Sequence, residues 1–220
     1  MRKRIIITIS FSFSIRYLIR TGLLNAIREF AEPVVVLTWQ EDDLIQELKD
    51  EGYEVHILPG SIIGNRYADL RKKIDIWFDN FQLKSPSKKI QQDYLDQYIG
   101  FKRKSLRNAR VFYNVLKHRI PGYTSRLMAN EEKELYNSTN YKEILVFTKK
   151  LKAQAVLTIT PFHRQEDIFL RTCKNEGMQM IASIHSFDNI TKRGWIPVTY
   201  DTYLISVSYT HLTLPTKRIV

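Results

Sequence analysis

The hydrophobic positions along the chain change period several times, and each change marks an element. Ile5-Ile6-Ile7-Thr8-Ile9 is a continuous, mostly β-branched run, the pattern of a strand buried on both faces. After the loop Ser10–Ser14, Ile15, Leu18, Ile19, Gly22, Leu23, Ala26, Ile27 and Phe30 recur at helical spacing, and Pro33 closes the pattern. Val34–Leu37 is a second apolar strand. Asp42 or Asp43 caps a short helix carrying Leu44, Ile45 and Leu48, Gly52 stops it, and Val55–Leu58 forms a third strand. The alternation returns further on, with a helix over Tyr141–Lys152 and a strand over Ala155–Ile159. Pro161-Phe162-His163 then leads into a helix through Ile168, Leu170 and Cys173 that ends at Gly177, followed by strands over Met180–Ile184 and from Tyr203. Short loops joining alternating strands and helices predict an α/β fold, a Rossmann-like doubly wound parallel sheet. Residues 66–126 show no strand pattern and read as a helical insertion, in which Leu95, Ile99, Leu106, Phe112, Val115 and Leu116 are expected to form a core-facing side.

Charge sharpens this division. The net charge is +11, and residues 66–126 alone hold 15 Lys/Arg against 5 Asp/Glu, while residues 1–65 sum to −2 and residues 127–206 to +1. An anionic partner therefore concerns the helical insertion, with Lys102, Arg103, Lys104, Arg107 and Arg110 as its candidate contacts. A membrane surface is one such partner. Nucleic acid is another, because Phe101, Phe112 and Tyr113 interleave with the basic residues, but no nucleic-acid-binding motif accompanies them. A solvated basic face without a partner explains the same residues.

The 44% hydrophobic content excludes a wholly disordered chain, and the single cysteine, Cys173, excludes a disulfide framework and a multi-cysteine metal site, so no metal is expected. No apolar run reaches the about 18 residues a membrane span needs. Met1-Arg2-Lys3-Arg4 ahead of the apolar run imitates a signal peptide, but Arg16 and Arg20 follow at once without a small-residue cleavage site, so the run reads as a buried strand. The stretch Val207–Thr216, VSYTHLTLPT, matches a one-frame translation of a common transposon sequencing adapter. The natural reading frame is accordingly expected to stop near Ile205 or Ser206. That makes residues 1–206 one domain containing the 66–126 insertion, and residues 207–220 a non-native tail on a truncated chain.

Doubly wound sheets bind ligands at the carboxyl ends of their strands, which directs attention to three loops. The first, Ser10–Ser14, contains neither a dinucleotide fingerprint nor a phosphate-binding P-loop. Ser12 and Ser14 there suit a phosphate or sugar hydroxyl, although Ser14 also serves as a plain helix cap. The second, Thr158–Glu166, offers His163 or Glu166 as proton acceptor and Arg164 as anion contact; a carboxylate in a first helical turn is equally a helix-dipole partner. The third, His185–Trp195, brings Asp188 as base or hydroxyl acceptor and Lys192 or Arg193 as phosphate contact, or else an Asx-turn beside a solvated basic pair.

The stretch SIHSFDNITKRGWIPVTYDTYLIS, with TITPFHRQE upstream and ISFSFSIRYLIRTGLL at the start, resembles the amino-terminal domain of bacterial GT-B glycosyltransferases. It is most similar to surface-polysaccharide enzymes and their relatives among the CDP-glycerol glycerophosphotransferases. The resemblance covers residues 4–60 and 141–206. Asp188, Asn189, Thr191, Arg193 and Gly194 match its S-x-DN-x-T-x-(K/R)-G loop, and His163 and Glu166 match the upstream one. It implies two Rossmann-like domains facing a cleft, with the nucleotide-sugar donor held by the carboxyl-terminal one. The amino-terminal domain then supplies contacts to a glycan or lipid-linked acceptor and often the general base. The donor-binding half is absent, so no cofactor is expected on this chain and no sugar transfer by it alone. The implied location is the cytoplasm, peripheral on the inner face of the membrane. The alternative is a basic nucleic-acid- or membrane-surface-binding α/β domain without catalysis, and a small-molecule-binding doubly wound domain without catalysis fits the fold as well.

Overall fold

A computed structural model describes residues 2–11, 18–19, 21–60, 64–79, 86–137, 140–184 and 195–205. Its first half runs β1 (Lys3–Ile9), α1 (Leu23–Phe30), β2 (Ala31–Leu37), α2 (Asp42–Asp50) and β3 (Glu54–Ile57). Four helices follow, α3 (Asn65–Trp77), α4 (Pro86–Asp96), α5 (Phe101–Lys117) and α6 (Tyr123–Tyr136). The chain then returns to the sheet through α7 (Tyr141–Leu151), β4 (Ala155–Thr158), α8 (Asp167–Asn175), β5 (Gln179–Ile184) and β6 (Thr202–Ile205). All six strands are parallel, in the order β3-β2-β1-β4-β5-β6. This is the Rossmann-like doubly wound arrangement, whose strand order reverses between β1 and β4.

Both faces of the sheet are covered, as its continuous apolar strands require. Ile5, Ile7 and Ile9 of β1 pack with Val35, Leu37 and Leu157 against α1 and α2 through Leu24, Ile27, Leu44 and Leu48. Ile6 points the other way, with Val34, Val36, Val156 and Met180, onto α7 and α8 through Ile144, Leu151, Phe169 and Leu170. Two turns show how closely sequence dictates geometry here. Gly52 and Gly177 adopt φ of 79° and 78° just past α2 and α8. At each, the next residue's N–H reaches back into the helix (Tyr53 to Leu48 O, Met178 to Cys173 O), the Schellman stop that leads into a strand.

Some boundaries differ from the sequence pattern. The helix expected to run from residue 15 to Phe30 is interrupted: Leu18 and Ile19 are helical, Gly22 takes φ 69°, and α1 starts afresh at Leu23. Pro33 does not end a helix but lies inside β2, one residue before the β2–β3 ladder begins at Val34. The helix expected to open at Pro161–His163 begins at Asp167 instead, after a series of turns.

The largest departure concerns residues 66–126. The first and last helices of this region are locked to the sheet layer by a buried polar network. Tyr67, Arg71 and Asp75 recur every fourth residue of α3, and Tyr67 Oη donates to Asp167 Oδ2 at 2.5 Å. Arg71 lies 3.7 Å from Asp167 and 4.0 Å from Glu131, and its Nη2 donates to the Trp195 carbonyl at 3.2 Å. Arg171 of α8 closes the network with two bonds of 2.8 and 2.9 Å to Glu131 of α6. Two guanidinium groups thus balance two carboxylates. By contrast, most of the expected core-facing side of the basic helices faces outward: Leu95, Leu106, Phe112 and Leu116 are exposed, and only Ile99 and Val115 are partly buried.

Glu131 is fully buried between Arg71 and Arg171, so its removal strands two cations. Glu131→Ala is expected to lower unfolding free energy by about 3–5 kcal/mol in chemical denaturation. A loss below about 1 kcal/mol would mean that the network is solvated.

Candidate functional site

The site grows from the residues that end β1 and β4. Thr8 and Thr158 sit opposite each other in the β1–β4 register, and Ser10 and Thr160 lie two residues further along each chain. Period two therefore aims all four hydroxyls to the same side. They converge on Glu166, the residue immediately before α8. Thr8, Thr158 and Thr160 donate to its carboxylate at 2.8 Å each, and Ser10 donates to the same group. Glu166 is completely buried.

A carboxylate offers about four lone-pair sites, and four hydroxyls fill them. Burial pushes the Glu166 carboxyl above its ordinary range, against the pull of the four donors. The adjoining Asp167 is also fully buried and raised by burial, with the Arg71 guanidinium acting in the opposite direction. The two neighbours face opposite ways, Glu166 into the strand ends and Asp167 toward α3. Glu166 is therefore a clamp across the point where strand order reverses, holding the β1 and β4 loops at a fixed separation.

The other residues of the second loop stand nearer the surface. His163 is half-buried and packs edge-on against the Phe11 ring, centroids 4.6 Å apart, so the residue after Ser10 meets the loop after β4. Arg164 reaches Asp75 of α3 at 2.8 Å, an ion pair in place of the expected free anion contact. Ser12 and Ser14 of the first loop, and Asp188, Asn189, Thr191, Lys192, Arg193 and Gly194 of the third, lie outside the described residues. Trp195 itself is held, because Arg71 bonds its carbonyl and stacks 4.8 Å from its ring.

The structure thus gathers His163, Glu166, Ser10, Thr160 and Phe11 at the carboxyl ends of β1 and β4. In the basic region, Lys104 and Arg107 both pair with Asp96 of α4, whereas Lys102, Arg103 and Arg110 are exposed. Thr8, Thr158 and Thr160 were not singled out by the sequence pattern, although T-x-S and T-x-T closing two adjacent strands is the signal that marks them. Cys173 is buried and its thiol is raised by burial, which removes it as a nucleophile. Among the described residues no cluster of three or more His, Cys, Asp and Glu side chains is placed to hold a metal, and no helix is long and apolar enough to cross a membrane. A shallow hollow of about 260 Å³ beside Arg2, Arg28 and Tyr53 lies at the opposite, amino-terminal ends of the strands.

Comparison with known proteins finds no family model, no curated protein and no solved structure that matches the chain.

Because the Glu166 carboxyl is raised in the folded state, the fold holds a proton that the unfolded chain has released. Stability should therefore fall as pH rises from its ordinary value of 4.5 through the raised one. Glu166→Gln, which keeps shape and an acceptor, is expected to flatten that part of the pH–stability curve. Curves of identical slope for the two proteins would show that Glu166 is not the group responsible.

Proposed function

We propose that this chain is the acceptor-side half of a nucleotide-sugar-dependent glycosyltransferase of bacterial surface polysaccharide biosynthesis. Its donor-binding half would be a further domain. The observation that carries the reading is the placement of His163 at the reversal point of a doubly wound sheet, on a loop pinned by Glu166. On this reading the carboxyl ends of β1 and β4 take a glycan or lipid-linked acceptor.

Burial divides the roles of the two candidates on the second loop. A general base must touch the proton it removes, and Glu166 is fully buried and enclosed by four hydroxyls while His163 is partly exposed. His163 is the proposed base and Glu166 a positioning residue; Asp188 would serve as a second hydroxyl acceptor. In an inverting transfer, His163 takes the acceptor hydroxyl proton as that oxygen attacks the anomeric carbon. The bond to the nucleoside diphosphate breaks and the diphosphate leaves with the electron pair. Arg164 is occupied with Asp75, so the leaving group's charge is assigned to the donor-binding half.

The test is sugar transfer by the full product of the parent gene, containing both halves. His163→Ala is expected to lower kcat about 100-fold or more with little change in KM for the donor. Sugar transfer by this chain alone, or wild-type kcat in His163→Ala, would contradict the assignment.

A further inference from the structure

α5 carries its apolar residues on the wrong side for a core helix. At 100° per residue, Phe101, Phe112, Leu116, Tyr113 and Leu106 fall on one arc of the helix. Phe101 is 83 % exposed, Leu106 71 % and Phe112 69 %. The opposite arc, Arg107, Val111, Asn114 and Val115, faces the protein, and of the whole helix only Asn114 is buried, donating to the Lys73 carbonyl of α3 at 2.8 Å. The apolar face continues beyond the helix ends into Tyr98, 73 % exposed, and Ile120.

Charge selects what covers this face. α5 has no acidic residue. Lys102 is exposed within the stripe, between Leu116 and Tyr113, and Arg110 and Arg103 are exposed along its edge, none with an acidic partner among the described residues. Lys117 leans its ammonium 4.3 Å over the Tyr113 ring. Lys104 and Arg107, the cations with an acid beside them, bond Asp96 away from the stripe. A second copy of this chain would set like charges against each other. The aliphatic side chains of Leu106, Leu116 and Ile120 have no π-face on which nucleic-acid bases stack. An apolar stripe with aromatic residues and edge lysines and arginines instead matches a helix lying in the headgroup layer of an anionic bilayer.

We infer that α5 is an interfacial helix that docks this protein onto an anionic lipid surface, inserting Phe101, Leu106 and Phe112 between headgroups. The assignment stands on the exposed face of α5 and does not depend on the transferase reading.

The experiment is flotation of the whole chain with phosphatidylcholine vesicles, either neutral or carrying about a third phosphatidylglycerol, at low and near-physiological salt. Preferential binding to the anionic vesicles is expected, weakened roughly fivefold for each of Lys102→Gln and Arg110→Gln. F101S combined with F112S should weaken it about tenfold or more while leaving the circular dichroism spectrum unchanged, because both side chains are already exposed. A Phe112→Trp variant reports insertion directly, through a blue shift of its emission on adding anionic vesicles. Absence of binding at low salt would overturn the inference, as would binding indifferent to F101S/F112S. So would tighter binding to single-stranded DNA than to the vesicles, or a concentration-dependent dimer dissolved by the same two substitutions.

Discussion

Glu166 and Asp167 are consecutive, fully buried carboxylates that leave the start of α8 in opposite directions. Glu166 collects the hydroxyls of Thr8, Ser10, Thr158 and Thr160 at the ends of β1 and β4. Asp167 collects Tyr67 and Arg71 from α3. One turn of chain therefore fixes two relationships at once, the spacing of the central strands at their carboxyl ends and the docking of the helical region onto the sheet layer. An isolated buried carboxylate is costly. Here four hydroxyls take the place of water around Glu166, and the Tyr67 hydroxyl and Arg71 guanidinium face Asp167 Oδ2, so the cost is offset only while these partners stay in position.

The same logic explains why residues 66–126 form two structural classes. α3 and α6 face the sheet layer with Tyr67, Ile74, Trp77, Leu127 and Leu135 buried, and their charges, Arg71 and Glu131, are neutralised internally with Arg171 and Asp167. His118 extends this contact, its ring stacked on Trp77 with centroids 4.9 Å apart and held neutral by burial to about pH 4. α4 and α5 bury almost nothing and keep their cations outside, apart from the pairing through Asp96. The positive charge of this region is thus carried by its outer layer, while its inner layer is nearly balanced.

The alternation of strands and helices was legible because continuous β-branched runs and glycine stops act locally. Gly52 and Gly177 end their helices where the pattern places the ends, and Ala155 and Tyr141 open elements at the expected positions. Gly22 and Pro33 were misread for a shared reason. The effect of either residue depends on whether the neighbouring chain continues a helix or enters a sheet, and the sheet is a long-range object. In α5 the spacing of Leu106, Phe112 and Leu116 reveals an apolar stripe, but spacing is silent on which stripe meets the protein, and Asn114 with Val111 won that side. Glu166 was visible as a candidate from its place before a helix. Its enclosure was not, because two of its donors, Thr8 in β1 and Ser10 just after it, lie 158 and 156 residues earlier in the chain.

The central claim is that the start of α8 couples the helical region to the carboxyl ends of β1 and β4. Native-state hydrogen exchange on Asp167→Asn tests it most directly, since that change keeps the side chain's shape and removes its charge from Tyr67 and Arg71. The account predicts that amide protection falls together in α3, in α6 and at the carboxyl ends of β1 and β4, while α1 and α2 on the other face keep theirs. Loss of protection confined to the first turn of α8 would contradict it.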